Sequence, residues 1–304
     1  MARCAITEHS IGSFGPCAAT DRRCRLVKLD DPVTTLYPPT GRTRPLRNLY
    51  LEQPLEPENW DGSLFLYSNF VTSLDGRIAL DAPTAGASGV PPHTANPRDW
   101  RLFQELAAQA GVLITSGRYL RQFAAGTAQD VLPVGSDEAF ADLLAWRRAQ
   151  NLPPQPDVAV VSASLDFDVP EALVESRQRI LVLTSAHAPR DRRQAHEARG
   201  CQVVVCDQGA TVTGAGIYRA LEAAGYRRAY SVTGPQILRL LLADGVLHAL
   251  FLTQALRMLG GEAYDTLVEG DVLADAPAFE LRTLFHDPYA PEAASQLLAC
   301  YDRR

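Results

Sequence analysis

Four consecutive residues, Ser73-Leu74-Asp75-Gly76, carry the clearest chemistry in the chain. They follow directly on a strand-length apolar run, so the Asp75 carboxylate is set where the chain leaves the carboxyl end of a sheet, the edge at which open α/β folds bind ligands. A carboxylate there can accept a ring N–H or a sugar hydroxyl. Asp75-Gly76 is also a strong turn-forming pair, and the run by itself leaves both readings open. Further turns with small or polar residues follow later strands: Ser116-Gly117-Arg118, Thr233-Gly234-Pro235 and Leu259-Gly260-Gly261, with Ser162, Thr184 and Ser185 at other strand ends. Gly117 allows a ligand to approach the backbone, and Gly234 before a helix offers amides to a phosphate. Plain turns and helix N-caps explain the same residues without a ligand.

Other chemistries find little support. His187, His196, His248 and His286 lack metal-ligand spacing, no Gly-x-Ser-x-Gly occurs, and Gly214-Ala215-Gly216 has Arg219 where a dinucleotide fingerprint needs its third glycine. The six cysteines, Cys4, Cys17, Cys24, Cys201, Cys206 and Cys300, form no Cys-x-x-Cys pair and read as reduced thiols, with the first three as a weak alternative metal set. A net charge of −6 gives no general attraction to nucleic acid or an anionic membrane. No apolar run is long enough to span a bilayer and no signal peptide opens the chain, so the expectation is a cytoplasmic protein.

The elements that would position these residues are legible in part. With 304 residues, 46% hydrophobic and 21% charged, the chain can bury a sizeable core. Residues 1–60 mix Arg, Pro, Gly and Thr without periodicity and read as an irregular extension; 61–304 read as the folded domain. Leu64–Val71 predicts a central strand buried on both faces. Asn96-Pro97-Arg98-Asp99 gives an N-cap, a first-turn proline and a carboxylate at the third helical position, predicting a helix over 97–109. Strands are expected at 112–115, 158–161, 180–184, 203–205, 229–232 and 247–253, with helices over 137–148, 216–224 and from Pro235 to near Gly245. Phe279–Phe285 and Leu297–Tyr301 read as an antiparallel pair at one edge. The expected architecture is α/β, a mixed and mostly parallel sheet of about eight or nine strands flanked by helices.

Ser-Leu-Asp-Gly-Arg-Ile after a strand, then a Gly- and Ser-containing loop, then a helix opening at Asn96-Pro97, resembles the reductase domain of bacterial riboflavin biosynthesis, and the likeness runs from about Tyr67 to Gly270. The resemblance implies a dihydrofolate-reductase-like fold, a homodimer, and NADPH-dependent reduction of a phosphoribosylamino-pyrimidine to its ribitylamino form. It implies that Asp75, with Asn69 and Ser73, orients the substrate, and that Thr115, Gly117, Arg118, Ser162, Thr184, Thr233, Gly234, Pro235 and Gly260 shape the cofactor cleft. The substrate's phosphate needs a cation, and Arg98 or Arg101 at the helix start after Asn96 is the candidate from position and helix dipole, since the family's arginine after a leucine in this helix is absent, with Ala107 following Leu106. Two turns depart from the family's wording: Thr115 and Arg118 alter Gly-x-Gly-Thr, and Thr233-Gly234-Pro235 replaces Glu-Gly-Gly, which removes a substrate-facing carboxylate. The family's zinc deaminase half is not found, since His-x-Glu and Pro-Cys-x-x-Cys are missing. Hydride transfer needs orientation and a dry site more than a nucleophile, and the accompanying proton is left to water or the substrate. A reductase of another heterocycle, such as a pterin, and a catalytically silent nucleotide-binding module are the competing readings.

Overall fold

The computed structural model describes residues 29–81, 88–91, 93–125, 134–135, 138–175, 178–291 and 294–304. The chain runs β1 (Pro32–Tyr37), β2 (Thr43–Pro45), β3 (Phe65–Thr72), β4 (Ala79–Asp81), β5 (Ser88–Gly89), α1 (Pro97–Gln109), β6 (Val112–Ser116) and α2 (Gly117–Ala124). A 3-10 turn at Glu138–Phe140 leads into α3 (Ala141–Ala149), followed by β7 (Asp157–Val161), α4 (Glu171–Glu175), β8 (Ile180–Ser185), α5 (Arg190–Ala198), β9 (Gln202–Asp207) and α6 (Gly214–Ala223). The last elements are β10 (Arg228–Ser231), α7 (Pro235–Ala243), β11 (Ala249–Ala255), β12 (Tyr264–Asp265), β13 (Phe279–Asp287) and β14 (Gln296–Arg303).

Eleven strands form one sheet in the order β2-β1-β13-β14-β11-β3-β10-β6-β7-β8-β9, two or three more than the sequence pattern gives. From β11 to β9 every pairing is parallel. The remaining strands, β14, β13, β1 and β2, are added antiparallel, so the mixed sheet with an antiparallel edge is as expected. Alternation along β3 divides the core. Phe65 and Tyr67 pack with Leu102 and Leu106 of α1, whereas Leu66 and Phe70 pack with Ile217 of α6 and Leu238 and Leu241 of α7. A small second sheet, β12-β4-β5, lies in the segments that follow β3 and β11.

The structure departs from the sequence reading most at its start. Cys4, Cys17 and Cys24 lie outside the described residues. Residues 29–60, expected to be irregular, supply β1 and β2 and bury Leu46, Leu49, Tyr50 and Leu55. Burying each such leucine contributes about 1.5–3 kcal/mol, enough to dock a segment that has no periodicity of its own. The Glu105 carboxylate of α1 holds it there, accepting from the amides of Asn48 at 2.6 Å and Tyr50 at 3.0 Å. Ser116-Gly117-Arg118, read as a turn, is instead the start of α2, capped by the Ser116 hydroxyl, which accepts from the Tyr119 amide. Helix α5 also escaped the sequence reading.

Candidate functional site

Because β3, β6, β7, β8, β10 and β11 are parallel, their carboxyl ends lie along one edge, and the turns singled out in the sequence follow them there. Asp75 follows β3, Gly117 follows β6, Ser162 follows β7, Thr184 closes β8, Thr233–Pro235 follow β10 and Gly260 follows β11. One topology therefore brings all of them to one rim.

Asp75 is the most heavily bonded of these groups. Its carboxylate accepts from the Ser73 hydroxyl and the Arg77 guanidinium, and from the amides of Leu259 at 3.2 Å and Gly260 at 2.9 Å. Those bonds, led by Ser73, hold its carboxyl well below the usual carboxylate range, so it is an anion throughout the neutral region. Arg77 also donates to the Gly261 carbonyl at 3.2 Å and lies over the Tyr264 ring at 4.2 Å. The Leu74 amide reaches the Arg257 carbonyl at 2.8 Å. Asp75 thus ties the turn after β3 to the loop after β11. Gly76 at φ 82° and Gly260 at φ 67° adopt the left-handed backbone these two turns require. Arg77 and Tyr264 were given no role by the sequence reading, although Arg77 stands two residues from Asp75.

Next along the rim, β10 and β6 are neighbours, and α7 and α2 each begin at the carboxyl end of its strand. Gly234 is the N-cap of α7, with no side-chain cap, is exposed, and has nothing near its Cβ position; Pro235 follows at the first helical position. The amides of that first turn are open to an anion. Thr115 and Thr184 are buried near the ends of β6 and β8, and the hydroxyl of each lacks a hydrogen-bond partner. An uncapped helix start and two buried hydroxyls with unused capacity fit a nucleotide whose phosphates lie across this part of the rim. Arg118 is exposed on the first turn of α2, within electrostatic reach of Glu269.

Three assignments change in detail. The missing Cβ of Gly117 makes room for protein, not ligand: a Cβ there would lie 2.9 Å from Phe167 and 3.0 Å from the Ser162 hydroxyl. The Ser162 hydroxyl accepts from the amide of Leu165 at 3.0 Å, and Thr233 shares a 2.8 Å bond with Ser231. Gly117→Val is therefore expected to push the 162–167 turn away from the rim, costing about 1–3 kcal/mol in thermal unfolding and weakening nucleotide binding roughly tenfold in a fluorescence titration.

The two arginines read as phosphate ligands at the start of α1 are buried in ion pairs away from the rim. Arg98 is fully buried, donating from Nε to Asp287 at 2.8 Å and from Nη2 to the Asp31 carbonyl at 3.0 Å. Arg101 is buried between Glu105 at 2.8 Å and Asp142 at 2.6 Å. Asn96 caps α1, accepting from the amides of Arg98 and Asp99, and donates to Gln296 at 2.8 Å. Arg257 borders the rim on the α1 side, in a recess of about 180 Å³ between the start of α1 and the end of β11, where Asn96, Ala255 and Gln296 also lie.

Asn69 lies half-buried on the α1 face of β3 and accepts from the Tyr230 hydroxyl. Tyr230 stacks on Tyr67 at 5.0 Å, and Phe103 of α1 lies 5.5 Å from it. Asp99, read as a helix-start carboxylate, turns inward and is buried.

The model of the family described as the RibD C-terminal domain matches residues 64–288. Among solved structures the chain is similar to a pyrimidine reductase-like protein from Corynebacterium diphtheriae, with 18% identity, 79% of this chain and 92% of that one covered, and a TM-score of 0.59. It is similar to RibD of Acinetobacter baumannii, at 16% identity and a TM-score of 0.56, with 80% of this chain and only 59% of that chain covered. It is also similar to a diaminohydroxyphosphoribosylaminopyrimidine deaminase/5-amino-6-(5-phosphoribosylamino)uracil reductase of Thermotoga maritima, at 14% identity and a TM-score of 0.52, covering 80% of this chain and 57% of that one. At these identities the likeness is one of fold. No curated protein matches in sequence. Among the described residues no helix is long and apolar enough to cross a membrane.

Proposed function

The chain belongs to the RibD C-terminal domain family, and from that premise we propose that it is an NADPH-dependent reductase of a phosphoribosylamino-pyrimidine, acting in riboflavin biosynthesis. The observation that carries the reading is the single rim on which an ionised Asp75, after β3, lies one strand from the uncapped start of α7, after β10, and two strands from the buried hydroxyl of Thr115 on β6. One side suits a polar heterocycle and the other a pyrophosphate.

Bound there, NADPH would supply hydride. The chain's part is to hold the acceptor still and keep water out. Asn69, with its amide oxygen fixed by Tyr230, presents its remaining amide group to the heterocycle. Trp100 and Phe103, stacked at 4.8 Å and half-buried, offer an apolar wall on α1. Arg257 takes over the phosphate role that Arg98 and Arg101 cannot fill. Gly234 and Pro235 aim the first amides of α7 at the pyrophosphate, with Thr115, Thr184 and Arg118 along the nucleotide. A homodimer, as the family resemblance implies, belongs to the same proposal and is read by light scattering.

NADPH oxidation followed at 340 nm with 5-amino-6-(5-phosphoribosylamino)uracil tests the reading, with a pterin and related heterocycles beside it. Turnover confined to the pyrimidine is expected. Tight NADPH binding without turnover of any acceptor would favour a silent nucleotide-binding module, the reading to which Thr233-Gly234-Pro235 points, because the loop has no carboxylate to offer a substrate.

A further inference from the structure

Among the described residues no cation pairs with Asp99. It sits on the first turn of α1, where Asn96 already caps the helix, and its side chain points to the sheet. It is 8% exposed, and its Oδ1 has no hydrogen-bond partner. Among the described residues only the Thr253 hydroxyl of β11 bonds to the carboxyl. The neighbouring titratable groups are Tyr230 from β10 and Tyr50 from the segment before β3, both held neutral by burial. On the helix itself Arg98 and Arg101 are committed to Asp287, Glu105 and Asp142.

The place is as telling as the group. Thr253 is level with Val71 of β3 and two residues from the end of β11. On this face Asn69, Val71, Val232, Trp100 and Phe103 are only half-buried, whereas the residues closer to the amino ends of the strands are fully covered. Partial exposure on this face is thus at its rim end, and Thr253, itself 4% exposed, stands at that level bonded to Asp99.

We propose that Asp99 is the proton source for the reduction and that Thr253 passes the proton on. The inference rests on the reductase reading above. As the carbon of the substrate's C=N bond receives hydride, the π pair moves to nitrogen. That nitrogen takes the Thr253 hydroxyl proton, the Thr253 oxygen takes the proton of Asp99, and Asp99 is left as the carboxylate until solvent reprotonates it. NADPH is the reductant, so electrons and protons balance. Burial pushes the Asp99 carboxyl up to about 6, so the acid form is available near neutrality.

The test is the pH dependence of NADPH oxidation with the phosphoribosylamino-pyrimidine, using the full chain and the variants Asp99→Asn and Thr253→Val. For the wild type, kcat is expected to fall as pH rises through about 6. Both variants are expected to lose about 100-fold in kcat and the pH limb with it, at unchanged NADPH affinity. A second readout needs no turnover. A carboxyl raised above its unfolded value favours the fold at acid pH and loses that contribution as pH climbs through the folded value. The Tm of Asp99→Asn relative to wild type should therefore rise between pH 4.5 and 7.5. An active wild type beside an equally active Asp99→Asn with the same pH profile overturns the proton relay alone. A wild type that binds NADPH and reduces none of the acceptors overturns the reductase reading and the relay together.

Discussion

Asp75→Ala is expected to lower kcat with the pyrimidine substrate by about 10²- to 10³-fold while the chain stays folded and still binds NADPH. The carboxylate accepts from Ser73, Arg77, Leu259 and Gly260. Its loss leaves the Arg77 guanidinium with the Gly261 carbonyl and the Tyr264 ring, and leaves two loop amides without their acceptor. The loop after β11 is then free to shift, and a shift of about 1 Å at a reacting centre is worth about 100-fold in rate. Asp75→Asn separates tether from charge. Its amide oxygen can still accept from Gly260 but no longer neutralises Arg77, so a loss of about tenfold is expected. Steady-state kinetics with both variants decide the matter: an Asp75→Ala enzyme that turns over at the wild-type rate would end the assignment. The pH dependence adds a check. A carboxylate with a depressed pKa contributes above its unfolded value and loses that contribution only as pH falls through the folded one, well below the usual carboxylate range. Asp75 therefore produces no limb between pH 5 and 9, and a limb near 6 has to come from another group.

What could be read from the sequence follows a physical division. Local signals were sufficient where an element is decided by its own residues. The apolar run of β3 and the Asn96-Pro97 opening of α1 are of this kind, and α1 spans Pro97–Gln109 as expected. Placement of the rim turns was legible for a related reason, since parallel strands joined by helices must put their carboxyl ends on one side. Elements decided by a distant partner were not legible. β1 exists because it pairs with β13, some 250 residues later in the order of the chain, and nothing in Pro-Val-Thr-Thr-Leu-Tyr announces that. Helix α5, Arg-Asp-Arg-Arg-Gln-Ala-His-Glu-Ala, buries only His196 and so shows no apolar stripe to detect.

Side-chain roles were harder still. Arg98 and Asp99 are adjacent, both were plausible at a helix start, and the structure sends them to different fates. Asp99 faces the sheet beside Thr253; Arg98 faces the antiparallel edge and finds Asp287. Successive helical residues point about 100° apart, so which of the two meets the substrate side depends on how α1 is rotated against the sheet. That rotation is set by Leu102, Leu106 and the aromatic cluster of β3 and β10, and not by anything within residues 96–101.

The fate of Arg98 leads to the second large effect. Asp287→Ala is expected to destabilise the chain by about 3–5 kcal/mol, because the Arg98 guanidinium is fully buried and would keep its charge without the Asp287 carboxylate. Gln296, which donates to Asp287 at 2.9 Å, and the Tyr289 amide at 3.0 Å lose their acceptor at the same time. For a domain of this size the loss corresponds to a Tm lower by about 10 °C in thermal unfolding. The paired change Arg98→Met with Asp287→Leu removes both charges and should recover most of that stability, since an apolar pair of similar volume replaces a buried ion pair at little cost. The double variant also settles what Arg98 does for the substrate. With the pair serving only to fix α1 against β13, its KM for the phosphorylated pyrimidine stays within about threefold of wild type, whereas Arg257→Ala raises KM for the phosphorylated substrate by about 10- to 100-fold and leaves a dephosphorylated one unaffected. A selective KM increase in the double variant, with Arg257→Ala silent, would return the phosphate to Arg98 and require α1 to rotate when substrate binds.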